Sequence, residues 1–144
     1  MMKSNHFQLR AAAETNCLYE VLEFMHQHLD EHGVSPKIRF QLDIVAEEIF
    51  VNIANYAYPD HKGDVIFTVS FAEEQTGRPY VSISFSDQGI FFDPLAHEDP
   101  DTTLSAAERE IGGLGILMVK KYMDGMYYEY KDGSNILTMK KYLD

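Results

Sequence analysis

Glu48 and Asn52, one helical turn apart, are the first candidates for chemistry in this sequence. At about 100° per residue they lie roughly 40° apart on one edge of a helix. The amide oxygen of Asn52 suits Mg²⁺, which keeps waters and phosphate oxygens in its shell. The Glu48 carboxylate could polarise a hydroxyl or water that attacks a phosphate. Alone, the pair is more simply explained as a solvated glutamate and a hydrogen-bonded asparagine, and Glu47 is expected to be an exposed charge.

A second carboxylate stands at the end of a predicted strand. Val81, Ile83 and Phe85 alternate with serines, and Asp87 continues their parity, so its side chain is expected on the buried face. A buried carboxylate needs a donor, and the exocyclic amine of adenine is one candidate. The alternative is a turn aspartate. Gly89 would let the backbone approach a ligand closely.

The third motif is the stretch Gly112-Gly113-Leu114-Gly115, which precedes and opens a helical pattern. Free N–H groups and the positive end of a helix make such a stretch an anion site. It is neither a Walker A loop, since no Gly-Lys-Ser/Thr follows, nor a Rossmann turn, since no βαβ unit surrounds it. The alternative is that these glycines only make a loop flexible. Together and in this order, the three motifs predict a pocket for Mg²⁺, adenine and phosphates.

Composition narrows the classes of protein to consider. A chain of 144 residues with 45% hydrophobic residues predicts a single globular domain, residues 1–144. The formal charge of -11 argues against a nucleic-acid partner, which requires a basic face. No apolar run approaches a membrane span, and no secretory leader is recognisable. The single cysteine, Cys17, is typical of a reducing compartment, so we expect a cytoplasmic protein.

Periodicity predicts the elements that must position the motifs. Helical spacing predicts helices from Thr15 to about His32 and, after an N-cap at Ser35, from Pro36 to about Tyr58. A further helix follows the glycines. Strands are predicted at five places, around residues 6–9, 65–71, 81–87, 126–130 and 135–141, the last two joined at Asp132-Gly133.

The segment from Pro94 to about Ile111 has weak periodicity and is predicted to be a long mobile loop. The order β-α-α-β-β-loop-α-β-β predicts an α+β two-layer sandwich. Its sheet would be mixed or mostly antiparallel, with helices on one face.

The combination of motifs resembles the GHKL (Bergerat-fold) ATPase domain, and more closely the anti-sigma-factor serine kinases of bacterial partner-switching systems. Glu48-x-x-x-Asn52 is similar to the N box of that family. Asp87-Gln-Gly-Ile-Phe-Phe-Asp93-Pro94 is similar to its first glycine box, and Gly113-Leu-Gly115 with Val119 to its second. The stretch Asp132-Gly-Ser-Asn135 resembles its final hairpin.

The resemblance implies an ATP- and Mg²⁺-dependent serine/threonine-protein kinase. It implies that Glu48 is the catalytic base, that Asn52 is a metal ligand and that Asp87 binds adenine. The residues that it implies around the nucleotide are Gly89, Phe92, Gly112, Gly113, Leu114 and Gly115. The partners it implies are a STAS-type antagonist protein, phosphorylated on serine or threonine, and a sigma factor. It also makes a homodimer plausible. The segment from about Leu95 to Ile111 is long and polar and ends at the glycines, so we expect it to form an ATP lid.

Two positions depart from the family pattern. Phe91 takes the place of the second glycine in the first glycine box, which leaves the backbone less freedom there. Ile111 stands where some members carry an arginine that can meet phosphates, and Arg109 lies two residues earlier. The alternatives are therefore a non-catalytic ATP-dependent switch and, with less support, the catalytic piece of a sensor histidine kinase.

Overall fold

Five antiparallel strands and three main helices make up the computed structural model, which describes residues 5–94 and 114–144, with side chains of the last helix from residue 117 onward. The strands are β1 (His6–Ala12), β2 (Asp64–Glu73), β3 (Pro79–Asp87), β4 (Gly125–Lys131) and β5 (Ser134–Tyr142). The helices are α1 (Leu18–Glu31), α2 (Pro36–Tyr56) and α3 (Leu114–Tyr122), with a 3₁₀ turn at Thr15–Cys17.

The sheet order is β1-β2-β3-β5-β4, and every pairing among these strands is antiparallel. The predicted two-layer α+β fold is thus confirmed, and the sheet is wholly antiparallel rather than mixed. β1 extends beyond the predicted Leu9 to Ala12 because it pairs with β2 over seven residues. The last strand in the chain, β5, lies inside the sheet between β3 and β4.

The core lies between the sheet and the helices. The inward residues of β3 have the parity predicted from the sequence. β2 buries Val65, Phe67 and Val69, and α1 and α2 each contribute an apolar face. The fully buried residues include Val21, Met25, Leu29, Leu42, Val45, Phe50, Phe67, Ile83 and Met139. The buried residues of α2, which include Leu42, Val45 and Phe50, form a stripe that faces the core. The neighbouring edge of α2 carries Glu48 and Asn52, and it is therefore set beside the sheet.

Local signals in the sequence define the element ends. The Ser35 hydroxyl accepts a hydrogen bond from the N–H of Ile38 at 3.3 Å, and Pro36 occupies the first helical position. Asp132 and Gly133 both have positive φ, at 53° and 79°, as a type I′ hairpin turn requires. Among the described residues, no helix combines the length and apolarity needed to cross a membrane.

Candidate functional site

A cleft of about 690 Å³, including its open mouth, lies between α2 and the ends of β3, β4 and β5. Its wall is mostly apolar, with a few polar groups, as is usual for ligand sites. The lining residues are Ile49, Asn52, Ile53, Tyr56, Ala57, Phe85, Asp87, Ile90, Phe92, Pro94, Tyr128, Asn135 and Leu137. Three predicted site residues from two separate motifs, Asn52, Asp87 and Phe92, therefore share one cleft.

On α2, Asn52 lines the cleft, and its amide nitrogen donates to Oε1 of Glu48 at 3.1 Å. Because the NH₂ group of the amide is taken up by Glu48, the carbonyl oxygen is left for a ligand. Glu48 is half-buried and lies one turn earlier, outside the cleft wall itself, whereas Glu47 is exposed as predicted. An amide oxygen beside a carboxylate is a donor set that fits Mg²⁺.

Asp87 is 6% exposed, so the inward orientation predicted from strand parity is confirmed. Its Oδ1 accepts hydrogen bonds from Nδ2 of Asn135 at 3.0 Å and from the N–H of Gly89 at 2.9 Å. Burial raises the pKa of this carboxyl, while the bonds from Asn135 and Gly89 act in the opposite direction. The described part of the chain places no donor on Oδ2, so a ligand amine would satisfy that oxygen.

Gly89 has a packing role that the sequence did not reveal. A Cβ at this position would overlap the carbonyl oxygen of Ala57 at the end of α2. The next N–H, that of Ile90, donates to this same carbonyl at 2.9 Å. The absence of a side chain at Gly89 therefore lets the first glycine box lie against the helix that carries Asn52. Its predicted approach to a ligand stays a prediction.

The remaining predicted residues fall on the third motif. Leu114 and Gly115 form the first turn of α3, as expected of a stretch that opens a helix. α3 contacts α2 and buries Val119 in the core. Gly112 and Gly113, like the predicted lid from Leu95 to Ile111, lie outside the described residues.

Asn135 and Tyr128 are among the cleft residues that were not predicted as site residues. Asn135 lies directly opposite Asp87 in the β3–β5 register, and Tyr128 lies one row further along the sheet, opposite Leu137. The alternation along β5 was a partial indication, since Asn135 has the same parity as the buried Leu137 and Met139 and is therefore expected on the inward face. The pairing of β5 with β3 on one side and with β4 on the other is what brings these residues to Asp87.

Comparisons with known proteins agree with this geometry. A family described as the histidine kinase-like ATPase domain matches residues 11–141. The serine/threonine-protein kinase BtrW of Bordetella bronchiseptica is 31% identical over 106 residues, which are 73% of this chain and 71% of that protein.

Two solved structures share the fold. The first contains the RsbU and RsbW domains of Rv1364c from Mycobacterium tuberculosis, with a TM-score of 0.62, 16% identity and 96% of this chain covered. This chain spans 32% of that longer protein. The second is the SiaB–SiaC complex from Pseudomonas aeruginosa, with a TM-score of 0.50, 18% identity, and 94% of this chain and 89% of that chain covered. The chain belongs to the histidine kinase-like (GHKL) ATPase family, as a relative of its anti-sigma-factor serine/threonine-protein kinases.

Proposed function

We propose that this protein transfers the γ-phosphoryl group of ATP to a serine or threonine of a STAS-type antagonist protein, and that the unphosphorylated antagonist competes with a sigma factor for it. The observation that carries the proposal is the sharing of one cleft by Asp87 and Asn52. Asp87 offers an acceptor to an adenine amine, and Asn52 offers an amide oxygen close to the carboxylate of Glu48.

The cleft supplies binding and orientation for the nucleotide. Oδ2 of Asp87 accepts from the exocyclic amine of the base, and the apolar wall that includes Phe85, Ile90 and Phe92 covers the base. The N–H groups at the start of α3, together with Gly112 and Gly113, are the candidates for the phosphates. Asn52 would hold Mg²⁺ through its amide oxygen, and the ion would neutralise charge on the phosphate oxygens.

In the transfer step, the oxygen of the protein hydroxyl attacks the γ-phosphorus. The bond from that phosphorus to the β,γ-bridging oxygen breaks, and ADP leaves with the electron pair. The proton of the hydroxyl passes to the carboxylate of Glu48. Since Glu48 accepts a hydrogen bond from Asn52, the base and the oxygen ligand are held in fixed relation to each other.

The test is incubation of the protein with γ-labelled ATP, Mg²⁺ and a STAS-domain protein encoded beside it. Label on a serine or threonine of that protein is the expected result. ATP bound without label on the STAS-domain protein would overturn the kinase proposal and favour the non-catalytic switch, for which Ile111 in place of an arginine is the specific sequence observation. We propose a cytoplasmic location for the protein and a homodimer as its assembly, which sedimentation of the purified protein tests.

A further inference from the structure

The amide of Asn135 uses all of its hydrogen-bonding capacity within the protein. Its Nδ2 donates to Oδ1 of Asp87 at 3.0 Å and to the carbonyl of Ile90 at 2.9 Å. Its Oδ1 accepts from the N–H of Phe92 at 3.1 Å and from the hydroxyl of Tyr128 at 2.6 Å. Two N–H donors and two lone pairs are all that an asparagine side chain offers. Asn135 lines the cleft but retains no free group for a ligand, so it can only position other groups.

These four bonds admit one orientation of the amide. Rotation by 180° would place the amide oxygen against the carboxylate of Asp87 and the carbonyl of Ile90, and the NH₂ group against two donors. The hydroxyl of Tyr128 and the N–H of Phe92 therefore ensure that Asn135 presents a donor to Asp87. At 7% exposure, water cannot readily replace these partners.

The orientation of Asn135 in turn fixes the carboxylate of Asp87. Oδ1 receives two donors, Nδ2 of Asn135 and the N–H of Gly89, and Oδ2 is the atom left for the cleft. The same amide joins Ile90 and Phe92 to β5, so the wall beside the carboxylate is held with it.

We infer that Asn135 and Tyr128 are positioning residues that set base selectivity, because they hold the side chain at position 87 in a single orientation toward the nucleobase. This inference rests on the proposed function. With aspartate at 87, the cleft meets an acceptor, which pairs with the 6-amino group of adenine and repels the 6-oxo group of hypoxanthine.

Asp87→Asn gives the sharpest test. In this variant the amide oxygen must take the place of Oδ1, because Asn135 and Gly89 both donate there. Its NH₂ group is then directed to the cleft, where it suits a 6-oxo group. We expect the parent to bind ATP about tenfold or more tighter than ITP, and Asp87→Asn to reverse that preference. Calorimetry with ATP and ITP, each with Mg²⁺, measures both affinities, and the triphosphate is common to the two ligands.

Removing the positioning residues should abolish the reversal. In the Asp87→Asn background, Asn135→Leu leaves the N–H of Gly89 as the remaining described donor to the amide at 87, and Tyr128→Phe removes one of the two donors that orient Asn135. Because the amide at 87 is then held less firmly, the two affinities should approach each other within about threefold. Tyr127→Phe is the matched control, since that hydroxyl is on the same strand and its side chain is 58% exposed. It should leave the reversed preference unchanged. Tyr128→Phe removes only one oxygen atom. It therefore provides the same test if Asn135→Leu does not fold.

The possible failures differ from one another. If the parent binds neither ATP nor ITP, the proposed function is wrong, and this inference falls with it. If the parent prefers ATP but Asp87→Asn weakens both nucleotides equally, the fixed orientation is wrong while ATP binding stands. If the preference reverses and then survives Tyr128→Phe and Asn135→Leu, other groups orient position 87, and the role given to this pair is overturned.

Discussion

The amide nitrogen of Asn52 lies 3.1 Å from Oε1 of Glu48, and this contact decides which atom of the amide faces the cleft. The carboxylate takes the NH₂ group, so the carbonyl oxygen is the one available to a cation. The two side chains of the motif therefore form one unit, in which the carboxylate that we propose as general base orients the amide that we propose as metal ligand.

The first prediction concerns Mg²⁺. We expect Asn52→Ala to lower ATP affinity in the presence of Mg²⁺ by about tenfold or more, since an interaction with a charged group is worth about 1.5–3 kcal/mol. ATP affinity measured with a chelator should change little. Asn55→Ala is the control, because Asn55 is exposed on the same helix. The same Mg²⁺ dependence in Asn52→Ala and the parent would contradict the assignment.

The second prediction separates binding from chemistry. Glu48→Gln keeps an oxygen that can accept from Asn52, but it removes the base. We expect ATP binding and antagonist binding to be retained, and phosphotransfer to fall about 10²–10⁴-fold. Glu47→Gln, which changes the adjacent exposed carboxylate, should transfer phosphate at the parent rate. Undiminished transfer by Glu48→Gln, followed on a gel with labelled ATP, would remove Glu48 from the mechanism.

A third prediction follows from the burial of Asp87, which raises its pKa. A carboxyl with a higher pKa in the folded state stabilises the protein below its unfolded-chain pKa, and this contribution is lost as the pH rises through the folded value. Above the folded-state pKa, the ionised Asp87 thus destabilises the ligand-free protein. Asp87→Asn retains an acceptor for Asn135 and Gly89, so we expect it to unfold at a higher urea concentration than the parent near pH 7.

The pH dependence is the check on this explanation. The stability advantage of Asp87→Asn should shrink as the pH falls toward about 4, because the parent carboxyl then becomes neutral. The binding free energy of ATP near pH 7 should be less favourable for Asp87→Asn than for the parent by about 1–3 kcal/mol, which is the cost of a mismatched buried polar partner. A variant that is less stable than the parent at every pH would show that desolvation is not the dominant effect at this position.

The fourth prediction tests the contact between the glycine box and α2. A methyl group at position 89 would overlap the carbonyl oxygen of Ala57, so Gly89→Ala should cost about 1–3 kcal/mol of unfolding free energy. It should also weaken ATP binding, because the N–H of Gly89 helps to hold Asp87. Gly77→Ala is the comparison. That position has open space but a φ of +89°, so the variant should lose stability while keeping its nucleotide affinity.

Local patterns predicted much of the fold and part of the site. The parity of β3 was enough to place Asp87 inward, and helical spacing was enough to put Glu48 and Asn52 on one edge of α2. The hairpin at Asp132-Gly133 followed from turn chemistry. Each of these depends on residues close together in the chain.

The contacts that join distant segments could not be predicted in this way. Asn135 meets Asp87 only because β5 inserts beside β3, which is a property of strand order and not of either strand. Likewise, the sequence suggested for Gly89 only a close approach to a ligand, and its contact with Ala57 depends on where α2 ends relative to the sheet.

The insertion of β5 between β3 and β4 determines when, during synthesis of the chain, the cleft around Asp87 can be completed. A chain emerging from the ribosome makes α2 and β3 early, yet the carboxylate of Asp87 lacks its principal side-chain partner until Asn135 has been synthesised. Domains that fold during synthesis begin from their N-terminal part. An incomplete chain therefore lacks part of the cleft around Asp87, so we expect the nucleotide binding proposed for this cleft only of chains whose synthesis has passed β5.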